Sequence, residues 1–468
     1  MRTAATLSQE IEEALREIPV IDIHTHLVGG KLSARGLHDI LLYHMVITDL
    51  YSAGCPSGMR LSEYPKWPTT KEAHNRIREA LPFLKHINNT SSFWCVRTIL
   101  KELYDWDQAV GESNWQQLDE LIRERADDKA WSYSILDRLR ISRSATELAR
   151  RQDGEDDDRL QYVLEWAMFN RCQWGEFDTA LYELERCWGC PPGSPAPIGV
   201  GKRQPTKRTI SSVEDVREAM RYYVEAIPVG QVCATASAFS CDINYRTVTD
   251  EQMDTAISRR ATAGVEERDI YASYVLELFL QFLERISDRV TYQFSLGAEP
   301  LPYETSSRLP QSTIAQLGDL ISRHPRIRFQ CFLASRHGNH SLCTLSRELT
   351  NLSLAGFWWH NFFPETIRQV MGERLDMLPA NRQIGFFSDA YCVEWTYAKL
   401  RLVRKIMAQL LAERVQQGQF TLDECLEFAR AIFFESPQTL VGMKPNVIRF
   451  DGELETRSYT RKAETLSA

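Results

Sequence analysis

IDIHTHL (residues 21–27) sets two of the chain's ten histidines one residue apart at the end of a short apolar run. On a β-strand, residues i and i+2 face the same side. If PVIDIHTH (19–26) is a strand, His24 and His26 point together, as does Asp22 with them. Two imidazoles on one face can share a divalent cation, because imidazole nitrogen suits zinc, manganese, iron and nickel alike. The plainer reading is one core histidine beside a helix cap. An HxH pair that ends the first strand of a strand–helix series favours the metal.

Such a series follows in the C-terminal half. RVTYQFSLGA (289–298), RFQCFLAS (328–335), LSLAGFWW (352–359) and IGFFSD (384–389) read as strands, each followed by a helical pattern. A further strand is expected at GQVCATASAF (230–239). Strands alternating with helices of this kind indicate βαβ units and a parallel sheet. Asp389 ends the last of these strands. In a closed barrel the first and last strands are neighbours, and their C-terminal ends share one mouth where active sites are built. Two imidazoles and one carboxylate would converge there, and the carboxylate could ligate metal, act as general base, or do both.

The bulk composition restricts the alternatives. With 468 residues, 43% hydrophobic and 25% charged, the chain is long enough for one large barrel or two ordinary domains and is not dominated by disorder. Its net charge of −8 is spread along the chain, without the basic stripe that a nucleic-acid partner requires. No apolar run is long enough for a membrane span, and the N-terminus reads as a polar amphipathic helix, not a signal peptide. Eleven cysteines without an export signal point to a reducing, cytoplasmic setting. The CWGC pair (187–190) reads as a loop, and RRQDGEDDDR (150–159) as a solvated charge run. The chain divides into an N-terminal helix with the first barrel strands (1–60), a mainly helical insertion or lid (61–225), the rest of the barrel (226–450) and a tail (451–468).

IDIHTHL, LLYHM (41–45), LASRHGNH (333–340), AGFWWHN (355–361), RLDMLP (374–379) and FFSDA (386–390) occur in an order that resembles the uronate isomerases. That family is a divergent branch of the metal-dependent amidohydrolase superfamily. The resemblance covers 19–50 and 320–445 best. It implies a distorted (β/α)8 barrel holding one divalent metal, zinc first among the candidates, on His24, His26 and Asp389. It also implies a catalytic role for His44, a pocket wall at Trp359, a small sugar-acid substrate and a homo-oligomer. The reaction would interconvert a hexuronate aldose with its 2-ketose through an enediol.

Four departures from the family pattern fall on substrate chemistry and leave the metal ligands intact. Met45 stands where the family has a tyrosine, and Tyr391 where it has an arginine two residues after the aspartate. Ser295 replaces an expected histidine, and an acidic TTDDP-like turn is missing after LDRLRISRSATEL (136–148). His360 and Arg336 are candidate substrate-binding compensations alongside Trp359 and Met45, with His337, His340 and Arg246 behind them. Tyr391 could act as acid or oxyanion donor if its surroundings lower its pKa. These changes keep a second class open: a hydrolase, or a lyase or decarboxylase, using metal-activated water on another polar substrate.

Overall fold

The computed structural model describes residues 4–55, 69–151, 159–165, 177–188, 208–286, 290–300, 305–359 and 362–442. Its strands are β1 (Val20–Thr25), β2 (Ile141–Glu147), β3 (Leu160–Glu165), β4 (Val232–Ala238), β5 (Thr291–Leu296), β6 (Ala298–Pro300), β7 (Thr305–Ser307), β8 (Arg328–Leu333), β9 (Leu352–Ala355) and β10 (Gln383–Ile384). Eight of them form one sheet in the order β1-β2-β3-β4-β5-β8-β9-β10. Every adjacent pair is parallel. β6 and β7 make a separate antiparallel hairpin. Because spatial order follows chain order, each helical crossover returns the chain beside the strand it left, which is the winding of a (β/α)8 barrel.

The side-chain pattern explains why the sheet curls. Ile21, Ala145, Val163, Ala234, Ala236, Phe332, Ala355 and Ile384 pack together inside. Tyr292, Phe294, Phe329 and Cys331 pack outward against the helices. Both faces are covered, so strands such as RFQCFL read as nearly continuous apolar runs. The helix Ala4–Glu17 buries Leu7, Ile11 and Leu15, one per turn, in the same outer cluster as the long helix Val393–Gln416.

The seam between last and first strands is irregular, and this irregularity builds the site. β10 is only two residues long, because the Gly385 N–H donates to the Ile432 carbonyl of a π-helical turn (Ala431–Glu435) at 2.9 Å. The expected strand 384–389 therefore leaves the ladder after Ile384. The chain still reaches β1: the Asp389 N–H donates to the His24 carbonyl (2.9 Å), and the His26 N–H to the Ala390 carbonyl (2.8 Å). Asp22 Oδ1 accepts the Ser388 N–H at 2.9 Å, so this carboxylate closes the barrel and does not join the histidine pair.

The stretch 61–225 supplies helices, but it also carries β2 and β3, so it is not simply an insertion laid on a finished barrel. ISRSATE has few apolar residues, and its parallel partners are remote in sequence, which hides it from a periodicity reading. Residues 152–158 of the charge run 150–159, Cys190 of the CWGC pair, His360 and the tail 451–468 lie outside the described residues, while Arg150, which opens that run, is largely buried and not solvated as expected. No helix among the described residues is long and apolar enough to cross a membrane. Among the described residues, Cys95, Cys233, Cys331, Cys343, Cys392 and Cys425 are free thiols.

Candidate metal centre

β1 ends at Thr25, so His24 and His26 stand at the C-terminal rim of the barrel. Asp389 reaches them from the far end of the chain. One ligand atom from each of the three lies within 4.8 Å of the others. Asp389 Oδ1 is 3.1 Å from His26 Nε2 and 3.5 Å from His24 Nε2. Its other oxygen, Oδ2, is 3.9 Å from His44 Nε2. Burial opposes ionisation of Asp389, yet hydrogen bonds from His24 and His26 hold its carboxyl well below the usual carboxylate range.

The donor set fits a divalent ion. Two imidazole nitrogens and a carboxylate oxygen converge in a buried mouth, a combination suited to zinc and its neighbours. His26 Nδ1 meets Glu147 Oε1 at 2.5 Å, which directs Nε2 toward the cluster, as an outer carboxylate does for a metal-bound histidine. His44 Nε2 is buried without a hydrogen-bond partner, an orphaned donor–acceptor atom turned to the same place. Burial pushes the His44 imidazole down to about 3, so it is neutral. It stacks on Trp359 with ring centroids 4.6 Å apart and planes 4° from parallel.

Asp389 and Trp359 hold left-handed backbone conformations, with φ of 51° and 48°. Non-glycine residues rarely do so, and such strain gathers at functional sites. A buried clamp secures Asp389. Lys399, on the inner side of the helix Val393–Gln416, donates from Nζ to the Ser388 carbonyl (2.6 Å) and to the Tyr43 hydroxyl (2.8 Å). Tyr43 in turn donates to the Asp389 carbonyl at 2.5 Å.

Tyr391 lies with its ring against His26, centroids 4.5 Å apart. Burial pushes its phenol up, with His26 opposing, so it is not the acidified tyrosine that the sequence left open. Arg150, from the turn after β2, sits with Cζ 5.3 Å from the Tyr391 ring centroid and donates from Nε to Glu147 Oε2 at 2.7 Å. Burial would raise Glu147, but the His26 imidazole, followed by Arg150, holds it at about 2. Register places Glu165 of β3 one inward position above Val163, and burial, reinforced by Glu147, pushes its carboxyl up to about 6.

The structure thus brings together His24, His26, His44, Trp359, Asp389 and Tyr391. It does not bring in Arg336, which is exposed and donates to Gln369 Oε1 at 3.1 Å. His340 pairs with Glu373 on the surface, and Arg246 with Glu266. Met45 is buried in the core cluster with Val46 and Ile47, so it packs and does not line the mouth. Glu147, Arg150, Glu165, Tyr43 and Lys399 escaped the sequence reading. The first three sit in or beside strands hidden within 61–225, although the ending ATE of ISRSATE marks a charged residue at a strand's C-terminal end.

No family model and no curated protein matches the chain. Solved structures do. A uronate isomerase from Bacillus halodurans C-125 superposes with a TM-score of 0.69 at 17% identity, covering 95% of this chain and 98% of that one. Glucuronate isomerase from Caulobacter crescentus gives 0.73 at 15% identity, covering 95% of each chain. A protein of Lactobacillus casei ATCC 334, described as a metal-dependent hydrolase, gives 0.56 at 13% identity, covering 92% of this chain and 97% of that one. From end to end, the fold is the one these uronate isomerases have, a distorted (β/α)8 barrel with helical additions.

Proposed function

We propose that the chain is a metal-dependent aldose–ketose isomerase acting on a hexuronate such as glucuronate or galacturonate. The observation that carries this reading is the convergence of His24, His26 and Asp389, with neutral His44 against Trp359, in a chain that shares its whole fold with uronate isomerases. A single divalent ion on the three ligands, zinc by preference, would polarise substrate oxygens and stabilise the charge of an enediolate.

The chain's own groups supply the rest. Asp389 has one oxygen directed at the two imidazoles and the other toward His44, so Oδ2 is free to take the proton from C2. Returning that proton to C1 completes the transfer, and the C2 hydroxyl proton moves to O1. His44, neutral and unpartnered at Nε2, accepts and donates the hydroxyl proton. Trp359 and Tyr391 wall the mouth and keep water from the intermediate. Glu165, at the C-terminal end of β3 on the same mouth and with its carboxyl pushed up to about 6, is a second proton carrier.

The test is incubation of the metal-loaded protein with glucuronate or galacturonate in deuterated water. A 2-ketose carrying solvent deuterium is expected. If both sugars come back unchanged and undeuterated, the isomerase reading fails. The likeness to the Lactobacillus casei protein then favours the second reading, hydrolysis or decarboxylation of another polar substrate.

A further inference from the structure

A guanidinium at the mouth still has donors to offer. Arg150 is largely buried, with 15% of its side chain exposed, and only Nε is engaged, by Glu147. Nη1 and Nη2 have no acceptor among the described residues. The planar group is held on two sides, by the Tyr391 ring and by a carboxylate whose other oxygen is taken by His26. Glu147 therefore divides its charge between the His26 imidazole and Arg150, and the other carboxyl acting on the guanidinium is Glu165, which burial pushes up to about 6. The other cation nearby, Lys399, has directed its ammonium to Ser388 and Tyr43.

We propose that Arg150 is the anion-binding residue of this mouth. Its terminal nitrogens form a fork for the carboxylate of a sugar acid, while the end bounded by His24, His26 and Asp389 handles the reacting carbons. A planar guanidinium matches a carboxylate with two parallel hydrogen bonds, and preorganisation on an aromatic ring reduces the entropy lost on binding. The replacement at 391 then has a physical sense: the tyrosine supplies no charge of its own but seats the arginine that does. This inference rests on the reading of the substrate as a sugar acid.

The experiment compares zinc-loaded full-length protein with Arg150→Met and Arg150→Lys. Binding of glucuronate and of glucose, which differ only in the C6 carboxylate, is measured by calorimetry, with bound zinc quantified in every sample. The wild type is expected to prefer glucuronate. Arg150→Met should weaken glucuronate about 10- to 100-fold, the range of a charge-assisted bidentate contact, while changing glucose less than about twofold and leaving zinc content unchanged. Arg150→Lys, which keeps the charge and loses the fork, should fall between.

A wild type with no preference for glucuronate overturns the proposal. So does an Arg150→Met protein that weakens both sugars equally or loses zinc, since that is the signature of a group that only orients Glu147 and His26. Glucuronate that binds through Arg150 without being turned over sinks the isomerase reading and leaves this assignment standing.

Discussion

Lys399→Met tests whether a buried cation tensions the candidate metal site from behind. The substitution keeps the length of the side chain but removes the ammonium that faces the Phe362 ring and donates to Ser388 O and Tyr43 Oη. Two hydrogen bonds from a charged donor are worth about 1.5–3 kcal/mol each. Against that stands a desolvation penalty of several kcal/mol for the enclosed ammonium, which methionine relieves. Burial accordingly lowers the Lys399 pKa, with Asp389 opposing. The net loss of stability should be modest, about 2 kcal/mol, read from the urea midpoint of metal-free protein.

The larger effect should be on metal affinity. Asp389 keeps its φ of 51° because its carbonyl and the one before it are held. A left-handed non-glycine residue costs roughly 1–2 kcal/mol. Without the clamp that cost falls on metal binding, so competition with a chelator should show affinity about tenfold weaker. A Kd for zinc within twofold of wild type, whatever the change in stability, would refute the reasoning.

Gly356→Ala should cost about 3 kcal/mol or more in unfolding and lower the soluble yield, because the residue has φ 43° and a Cβ there would run into the Phe387 ring and approach Phe387 N at 3.2 Å. Glu165→Gln should stabilise metal-free protein at pH 7.5 by about 1–2 kcal/mol and have little effect at pH 4.5. The folded carboxyl, at about 6, binds its proton more tightly than the unfolded one, so its penalty grows as pH rises through that window. Equal urea midpoints for the two proteins at pH 7.5 would contradict this. Tyr391→Arg should weaken zinc binding and fail to improve glucuronate turnover, since it sets a second guanidinium beside Arg150 and removes the ring from His26. A gain in kcat/KM on glucuronate would count against the stacked arrangement.

Much of the candidate site was legible because its chemistry is local. HxH at the end of a strand has one meaning for orientation, and Asp389 follows a strand that the βα rhythm exposes. Trp359 was separable from Trp358 by its place at a strand's end. The misreadings came where the deciding neighbour is remote. Arg336 follows a strand but turns to Gln369, and Met45 follows His44 but faces the core. Nothing within a few residues of either position carries that information.

By itself, the order of residues determined that β1 presents two imidazoles together, that strands alternate with helices, and that a carboxylate follows the last strand. Those facts depend on backbone periodicity, which acts over a few residues. Tertiary structure alone decided that β10 breaks after Ile384, that Asp22 bonds Ser388 while Asp389 meets the imidazoles, and that Glu147 and Arg150 enter the mouth from 61–225. Each of these depends on which remote chain segments meet, from the Gly385–Ile432 bond to the Asp22–Ser388 bond, and closure of the barrel, not local propensity, selects them.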